Sequence, residues 1–223
     1  MTTTPPRTLG IIGAGKSGAA LARLAVAAGL DVVVASSGSA ADTAELLPFI
    51  APGATAATVE QVTARTGLVV VATPLRRFHA LPLTLLGGHV VVDVMNYWPP
   101  VDGVLPAFED TDQPSSVVVQ GALPASARLV KTFNHLGYHQ MEDLARPAGA
   151  PDRAALAVAG DDADAVATVA VLVDAIGFDP VPAGPLAGSA ALEPGTPVFG
   201  RRLDAPAMRA ALGIADERLV PGR

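Results

Sequence analysis

Short runs that are apolar throughout alternate along this chain with alanine-rich stretches. The runs are Arg7 to Ile12 (RTLGII), Asp31 to Ser36 (DVVVAS), Gly67 to Thr73 (GLVVVAT), His89 to Met95 (HVVVDVM), Arg128 to Phe133 (RLVKTF), Ala155 to Gly160 (ALAVAG) and Phe178 to Ala183 (FDPVPA). Valine-rich runs of this length, with no in–out alternation, predict strands buried on both faces. A further short extended piece is expected around Ala54. Helical segments are predicted at roughly Gly15 to Ala28, Ala41 to Ile50, Val59 to Arg65, Phe78 to Leu86, Ser115 to Leu123, His139 to Arg146 and Asp162 to Ile176. The last opens on an aspartate able to cap its first turn and stops at Gly177. Strand alternating with helix implies an α/β fold around a mainly parallel sheet.

The first strand runs into Gly10-Ile11-Ile12-Gly13-Ala14-Gly15-Lys16-Ser17-Gly18, where two phosphate-binding motifs overlap. Counted from Gly10, it is the G-x-x-x-x-G-K-[ST] loop of nucleoside triphosphate enzymes. Counted from Gly13, it is the G-x-G-x-x-G turn that seats a dinucleotide pyrophosphate. The first reading would cut the strand to three residues after Pro5-Pro6, and proline cannot continue a central ladder. The second keeps Ile11 and Ile12 in the strand. Gly13 then makes the tight turn, Gly15 admits the pyrophosphate, and Gly18 lets the helix pack on the strand. Asp93, near the end of its strand, is the residue that would hold magnesium in the first reading; in the second it is a polar residue at a buried strand tip. The dinucleotide reading is preferred. It predicts a Rossmann-type doubly wound sheet with a small C-terminal extension: a dinucleotide-binding domain over residues 1–145 and, within one compact unit, a C-terminal portion over 146–223 completing sheet and cleft.

NAD-specific folds usually carry an acidic residue at the end of the second strand. Here Asp31 begins that strand, on the wrong edge, and its far end reads Ala35-Ser36-Ser37-Gly38-Ser39 with no carboxylate. Hydroxyls and amides there would accept a 2′-phosphate, which favours NADP(H). Ligands of such sheets bind beyond the carboxyl ends of the strands. Those ends present Thr73-Pro74, Met95-Asn96-Tyr97-Trp98 and Asn134-His135-Leu136. The sole tryptophan thus falls at the rim, a placement suited to a flat ring. Of four histidines, His135 alone sits at a carboxyl end, where a ligand-facing role competes with that of a polar turn residue. No acid–base pair or nucleophile elbow stands out, which is compatible with hydride transfer between two held rings.

Composition narrows the classes. Half of the 223 residues are apolar, 16% are charged and the net charge is −6, so no basic field exists for nucleic acid. No cysteine is present, which removes disulfides, thiolate nucleophiles and Cys-ligated metals; no metal site is expected. The amino terminus lacks a secretory pattern and no stretch reads as a membrane span, so a cytoplasmic protein is expected.

The run Gly10 to Gly18, the strand VKTFNHL (Val130 to Leu136), the segment VAGDDADA (Val158 to Ala165) and AGPL…LEPGTP (Ala183 to Pro197) together resemble the NADPH-dependent F(420) reductases, or F(420)H2:NADP oxidoreductases. The resemblance spans roughly Arg7 to Phe199. It implies a homodimer that passes hydride between C4 of the nicotinamide and C5 of a deazaflavin ring. By this likeness Gly13, Ala14, Gly15, Lys16, Ser17 and Gly18 surround the pyrophosphate, and Ser36 and Ser37 the 2′-phosphate. Thr73, Pro74 and Asn96 lie along the nicotinamide ribose. Asn134, His135, Leu136 and Thr196 border the deazaflavin, with Trp98 at the same rim. The chain departs from the family at Ser37, where members commonly carry arginine, and at Ala190 and Pro194. An NADPH-dependent reductase of a flavin, imine or other small acceptor, and an NADP-binding module without turnover, are the competing expectations.

Overall fold

The structure, a computed structural model, describes residues 7–215; the Pro5-Pro6 stretch and the tail from residue 216 to Arg223 lie outside the described residues. Eight strands form one sheet: β1 (Thr8–Ile12), β2 (Asp31–Ala35), β3 (Thr55–Ala56), β4 (Leu68–Val71), β5 (Val90–Asp93), β6 (Arg128–Lys131), β7 (Ala155–Gly160) and β8 (Asp179–Pro182). Their spatial order is β3-β2-β1-β4-β5-β6-β7-β8. From β3 to β6 the pairing is parallel; β7 runs antiparallel to β6, and β8 parallel to β7. The order 3-2-1-4-5-6 is that of the doubly wound Rossmann fold, whose ligand crevice opens where the winding reverses, between β1 and β4. β8 contains Pro180 and Pro182, which its place at the sheet edge tolerates.

Helices α1 (Lys16–Ala27), α2 (Ala40–Ile50), α3 (Val59–Arg65), α4 (Pro99–Asp102), α5 (Pro106–Glu109), α6 (Ser115–Ala122), α7 (Tyr138–Leu144), α8 (Ala163–Ala175) and α9 (Ala205–Ala211) complete the described fold. Buried side chains of α1, α2, α7 and α8 cover one face of the sheet; α3, α6 and two 3-10 turns cover the other. The first of these clusters joins Ile11 and Val34 to Leu156, Leu172 and Phe178, so it draws on both sides of residue 145. α9 folds onto β7 and β8 through Met208, with Asp204 capping its first turn.

Most element boundaries lie within two residues of the expected ones. The helix expected over Phe78 to Leu86 is instead two 3-10 turns, Leu75–Ala80 and Leu83–Leu86. Pro82 is the cause: it has no N–H to donate and disfavours α geometry in the residue before it.

Ladder register sets the working edge. Ala35 pairs with Ile12, Ile12 with Val71, Val71 with Asp93, and Asp93 with Lys131. Five strands therefore end in one row, and the residues immediately after them form the floor and walls of the crevice.

Candidate functional site

The glycine turn has a separate physical reason for each glycine. Gly13 takes φ +116°, and a Cβ there would stand 2.5 Å from the Ala72 carbonyl oxygen. At Gly18 a Cβ would meet the Gly13 carbonyl oxygen at 1.9 Å, so the helix seats on the turn only without a side chain. Gly15 faces open space, with nothing within 4 Å of its missing Cβ. It is also the N-cap of α1; no side chain caps that helix and no acid occupies its first turn. The amide donors of the first turn, and the positive end of the dipole, are left for an anion. A pyrophosphate fits this cradle.

Two cavities open beyond the strand ends. One, of about 420 Å³, lies over Gly15, Thr73, Pro74 and Asn96. The other, of about 600 Å³, is bordered by Asn134, Leu136, Tyr138 and Phe199. They share a wall that includes Lys16, Ser17, Asn96 and Trp98. Trp98, 43% exposed, tilts against Phe199 with ring centroids 6.2 Å apart. Asp102 fixes its backbone: one carboxylate oxygen accepts from the Trp98 amide at 3.0 Å and the other from the Arg76 amide at 3.2 Å. The exits of β4 and β5 are thereby tied together.

Two asparagines cross-brace the larger cavity. Asn96 donates to the Asn134 carbonyl at 2.7 Å, while the Asn134 amide donates to Asn96 Oδ1 at 3.0 Å and to the Leu192 carbonyl at 2.7 Å. Asn134 is 4% exposed and its own Oδ1 has no partner. Phe133 beside it is held at φ +63°, a costly conformation for a non-glycine residue and one that concentrates at functional sites.

Under the floor lies an ion pair that sequence reasoning missed. Lys131 is wholly buried and donates to Asp93 Oδ2 at 3.1 Å and to the Met95 carbonyl. Asp93 also accepts from the Met95 amide at 2.8 Å and the Ser116 hydroxyl at 3.1 Å. The carboxylate that the triphosphate reading would give to magnesium is thus committed inward. A lysine within an apolar strand was the available signal.

Three site expectations are corrected. His135 does not face a ligand: its ring is buried beside β7, Nε2 accepts from the Ala157 amide at 3.4 Å, and Nδ1 has no partner. Burial, reinforced by the Lys131 charge, lowers its pKa to about 4, so the ring is neutral. Thr196 lines neither cavity and donates to the Glu193 carbonyl at 2.9 Å. Glu193 of the same motif caps α6, accepting from the Ser115 amide and hydroxyl at 2.7 Å each. The loop after β2, read as free of carboxylates, has one folded against it. Asp42 completes the capping box of α2, accepting from the Ser39 amide at 2.9 Å and hydroxyl at 2.8 Å, and these bonds lower its pKa. Ser36 is engaged with Thr43 at 2.6 Å; Ser37 is exposed.

The amino-terminal part of this site carries a recognisable signature. Residues 8–97 match the family described as NADP oxidoreductase, coenzyme F420-dependent. The matched segment runs from β1 to the loop carrying Asn96 and contains the glycine turn. Among solved structures, a hypothetical protein of Sinorhizobium meliloti, SMa0349, is 27% identical, with 88% of this chain and 94% of that one covered and a TM-score of 0.71. A protein of Arthrobacter sp. FB24, provisionally named an F420-dependent NADP reductase, is 26% identical over 89% of this chain and 99% of its own, with a TM-score of 0.67. A reductive aminase of Aspergillus terreus, solved with NADPH, is 20% identical, covers 85% of this chain and 58% of its own at a TM-score of 0.54, and shares the fold. No curated protein matches the chain. The family match and the Arthrobacter neighbour support an NADP-dependent oxidoreductase. No helix among the described residues is long and apolar enough to cross a membrane.

Proposed function

We propose that this protein transfers hydride between NADP(H) and the deazaflavin coenzyme F(420). The observation that carries the reading is the pair of adjoining cavities at one sheet edge, sharing a wall at Ser17, Asn96 and Trp98. One fits a nicotinamide held over the β1–β4 crevice, the other a second ring system. The coenzymes would supply the chemistry, the dihydronicotinamide giving up hydride from C4 to C5 of the deazaflavin with a proton taken from solvent.

The chain's part is binding, orientation and exclusion of water. In this reading the backbone from Gly13 to Gly18, including Ala14, Lys16 and Ser17, surrounds the pyrophosphate. Ser36 and Ser37 meet the 2′-phosphate, and Thr73, Pro74 and Asn96 run along the nicotinamide ribose. Trp98, Asn134 and Leu136 border the acceptor ring; His135 lies buried behind that wall, and Thr196 lies outside both cavities. Residues 1–145 act as the dinucleotide half and 146–223 complete the cleft. A homodimer in the cytoplasm is proposed with this assignment.

The test is to mix purified protein with NADPH and oxidised F(420) and follow the absorbance of both. Equimolar loss of NADPH and of oxidised deazaflavin is expected. Tight NADPH binding with no change in the deazaflavin overturns the reading and leaves an NADPH-dependent reductase of a flavin, imine or other small acceptor, or a binding module.

A further inference from the structure

The larger cavity has an electrostatic character that hydride transfer alone does not require. In a chain of net charge −6, its lining contains one cation, Lys16, and no carboxylate. Lys16 opens α1, so its backbone belongs to the glycine turn, but its ammonium lies 5.3 Å from the centroid of the Tyr138 ring on α7. Tyr138 borders the larger cavity and not the one over Thr73 and Pro74; with Lys16 it also borders a third cavity beside Ala19 and Arg23, so the ammonium stands at the junction of that cavity with the larger one. A cation–π contact orients an ammonium without neutralising it. Lys16 forms no ion pair among the described residues. Glu142, one turn beyond Tyr138, is held instead by Arg23 through bonds of 2.5 and 2.8 Å. A second polar side chain borders the same cavity: Asn134, nine-tenths buried, its amide held by Asn96 and the Leu192 carbonyl.

We propose that Lys16 determines acceptor specificity, its ammonium holding an anionic group, a phosphate or carboxylate, on the molecule that receives the hydride. The assignment rests on the larger cavity being the acceptor site. It removes the Lys16 side chain, though not its backbone, from the pyrophosphate contacts.

Two pairs of probes test it, each pair sharing a ring and differing in its anionic groups: FMN against riboflavin, and F(420) against its ring-and-ribityl precursor. Calorimetric titration into NADP+-loaded protein should show the anionic member binding about tenfold or more tighter, the scale of a hydrogen bond to a charged group. Lys16→Gln should erase that difference and leave the neutral members unchanged; Lys16→Arg should retain most of the preference. The proposal is overturned if wild type binds both members of each pair alike or neither, or if Lys16→Gln weakens NADPH by the factor it removes from the anionic probes. Lys16-dependent binding of the anionic probes with no hydride passing from NADPH would sustain this proposal and sink the F(420) reading.

Discussion

Replacing Lys131 by methionine should unfold this protein far more readily than any surface change. Its ammonium is 0% and the Asp93 carboxylate 1% exposed, 3.1 Å apart. At that distance and an effective dielectric of about 20, their attraction is about 5 kcal/mol. Methionine fills nearly the same volume, so packing changes little; what changes is that Asp93 keeps only the Met95 amide and the Ser116 hydroxyl. Leaving one member of a buried pair behind costs about 3–5 kcal/mol, a large part of a domain's total of about 5–15 kcal/mol. Lys131→Met/Asp93→Asn removes both charges and should recover most of the loss, since apolar or neutral replacements of buried pairs are often near-neutral. Urea unfolding followed by far-ultraviolet circular dichroism measures both, and the single Trp98 reports separately on the cleft. A loss below about 1 kcal/mol for Lys131→Met, or a double variant as unstable as the sum of the two single ones, would refute the description of a dry, coupled pair.

Two further outcomes are expected. The buried His135 titrates at about 4, against 6.5 when exposed, so the unfolded chain binds the extra proton between those values. Stability from this group is therefore complete above pH 6.5 and falls as the pH drops toward 4, by about 3 kcal/mol at most. His135→Gln should flatten the stability–pH curve in that window, and an unchanged slope in urea titrations at pH 4.5 and 7 would contradict the burial argument. Asp42→Asn should raise NADPH affinity relative to NADH about two- to fivefold at low ionic strength, with the gain shrinking in salt. The asparagine oxygen still accepts from Ser39, so equal change for both dinucleotides would place the 2′-phosphate elsewhere.

What was legible in the sequence follows from which interactions are local. The inner strands β1, β2, β4 and β5 announce themselves because they are buried on both faces and so read as nearly unbroken apolar runs. Gly13 and Gly18 announce themselves because a Cβ at either would strike backbone. The 3-10 turns at Leu75–Ala80 and Leu83–Leu86 were hidden because an apolar count weighs Pro82 no differently from its neighbours, whereas the backbone feels its missing donor. Asp42 was overlooked for a related reason. It lies past the loop in sequence, and only the capping box with Ser39 swings its carboxylate back beside Gly38.

The acceptor side was less legible because its geometry is decided by partners distant in sequence. His135 follows the end of β6 as Ser36 follows β2 and Thr73 follows β4, and strand position alone would aim it at the cleft. Its neighbour β7, however, is antiparallel, and the Ala157 amide of that strand takes the ring inward. Asn134 goes the other way because the Leu192 carbonyl, 58 residues along, and Asn96 both hold its amide at the cavity wall. Glu193 is drawn away to the start of α6, so the Glu-x-x-Thr-Pro motif acts as a strap whose acid caps a helix rather than facing the cleft. The resemblance located these residues but not their directions. With Thr196 and His135 turned from the cavity, its polar complement reduces to Lys16, Ser17, Asn96, Asn134, Gln140 and the Trp98 and Tyr138 ring groups. That set offers hydrogen bonds, aromatic faces and one positive charge, and no carboxylate or charged histidine to deliver a proton. A reaction there must bring its own electron pair and draw its proton from water, which suits hydride exchange between two bound cofactors better than hydrolysis or group transfer.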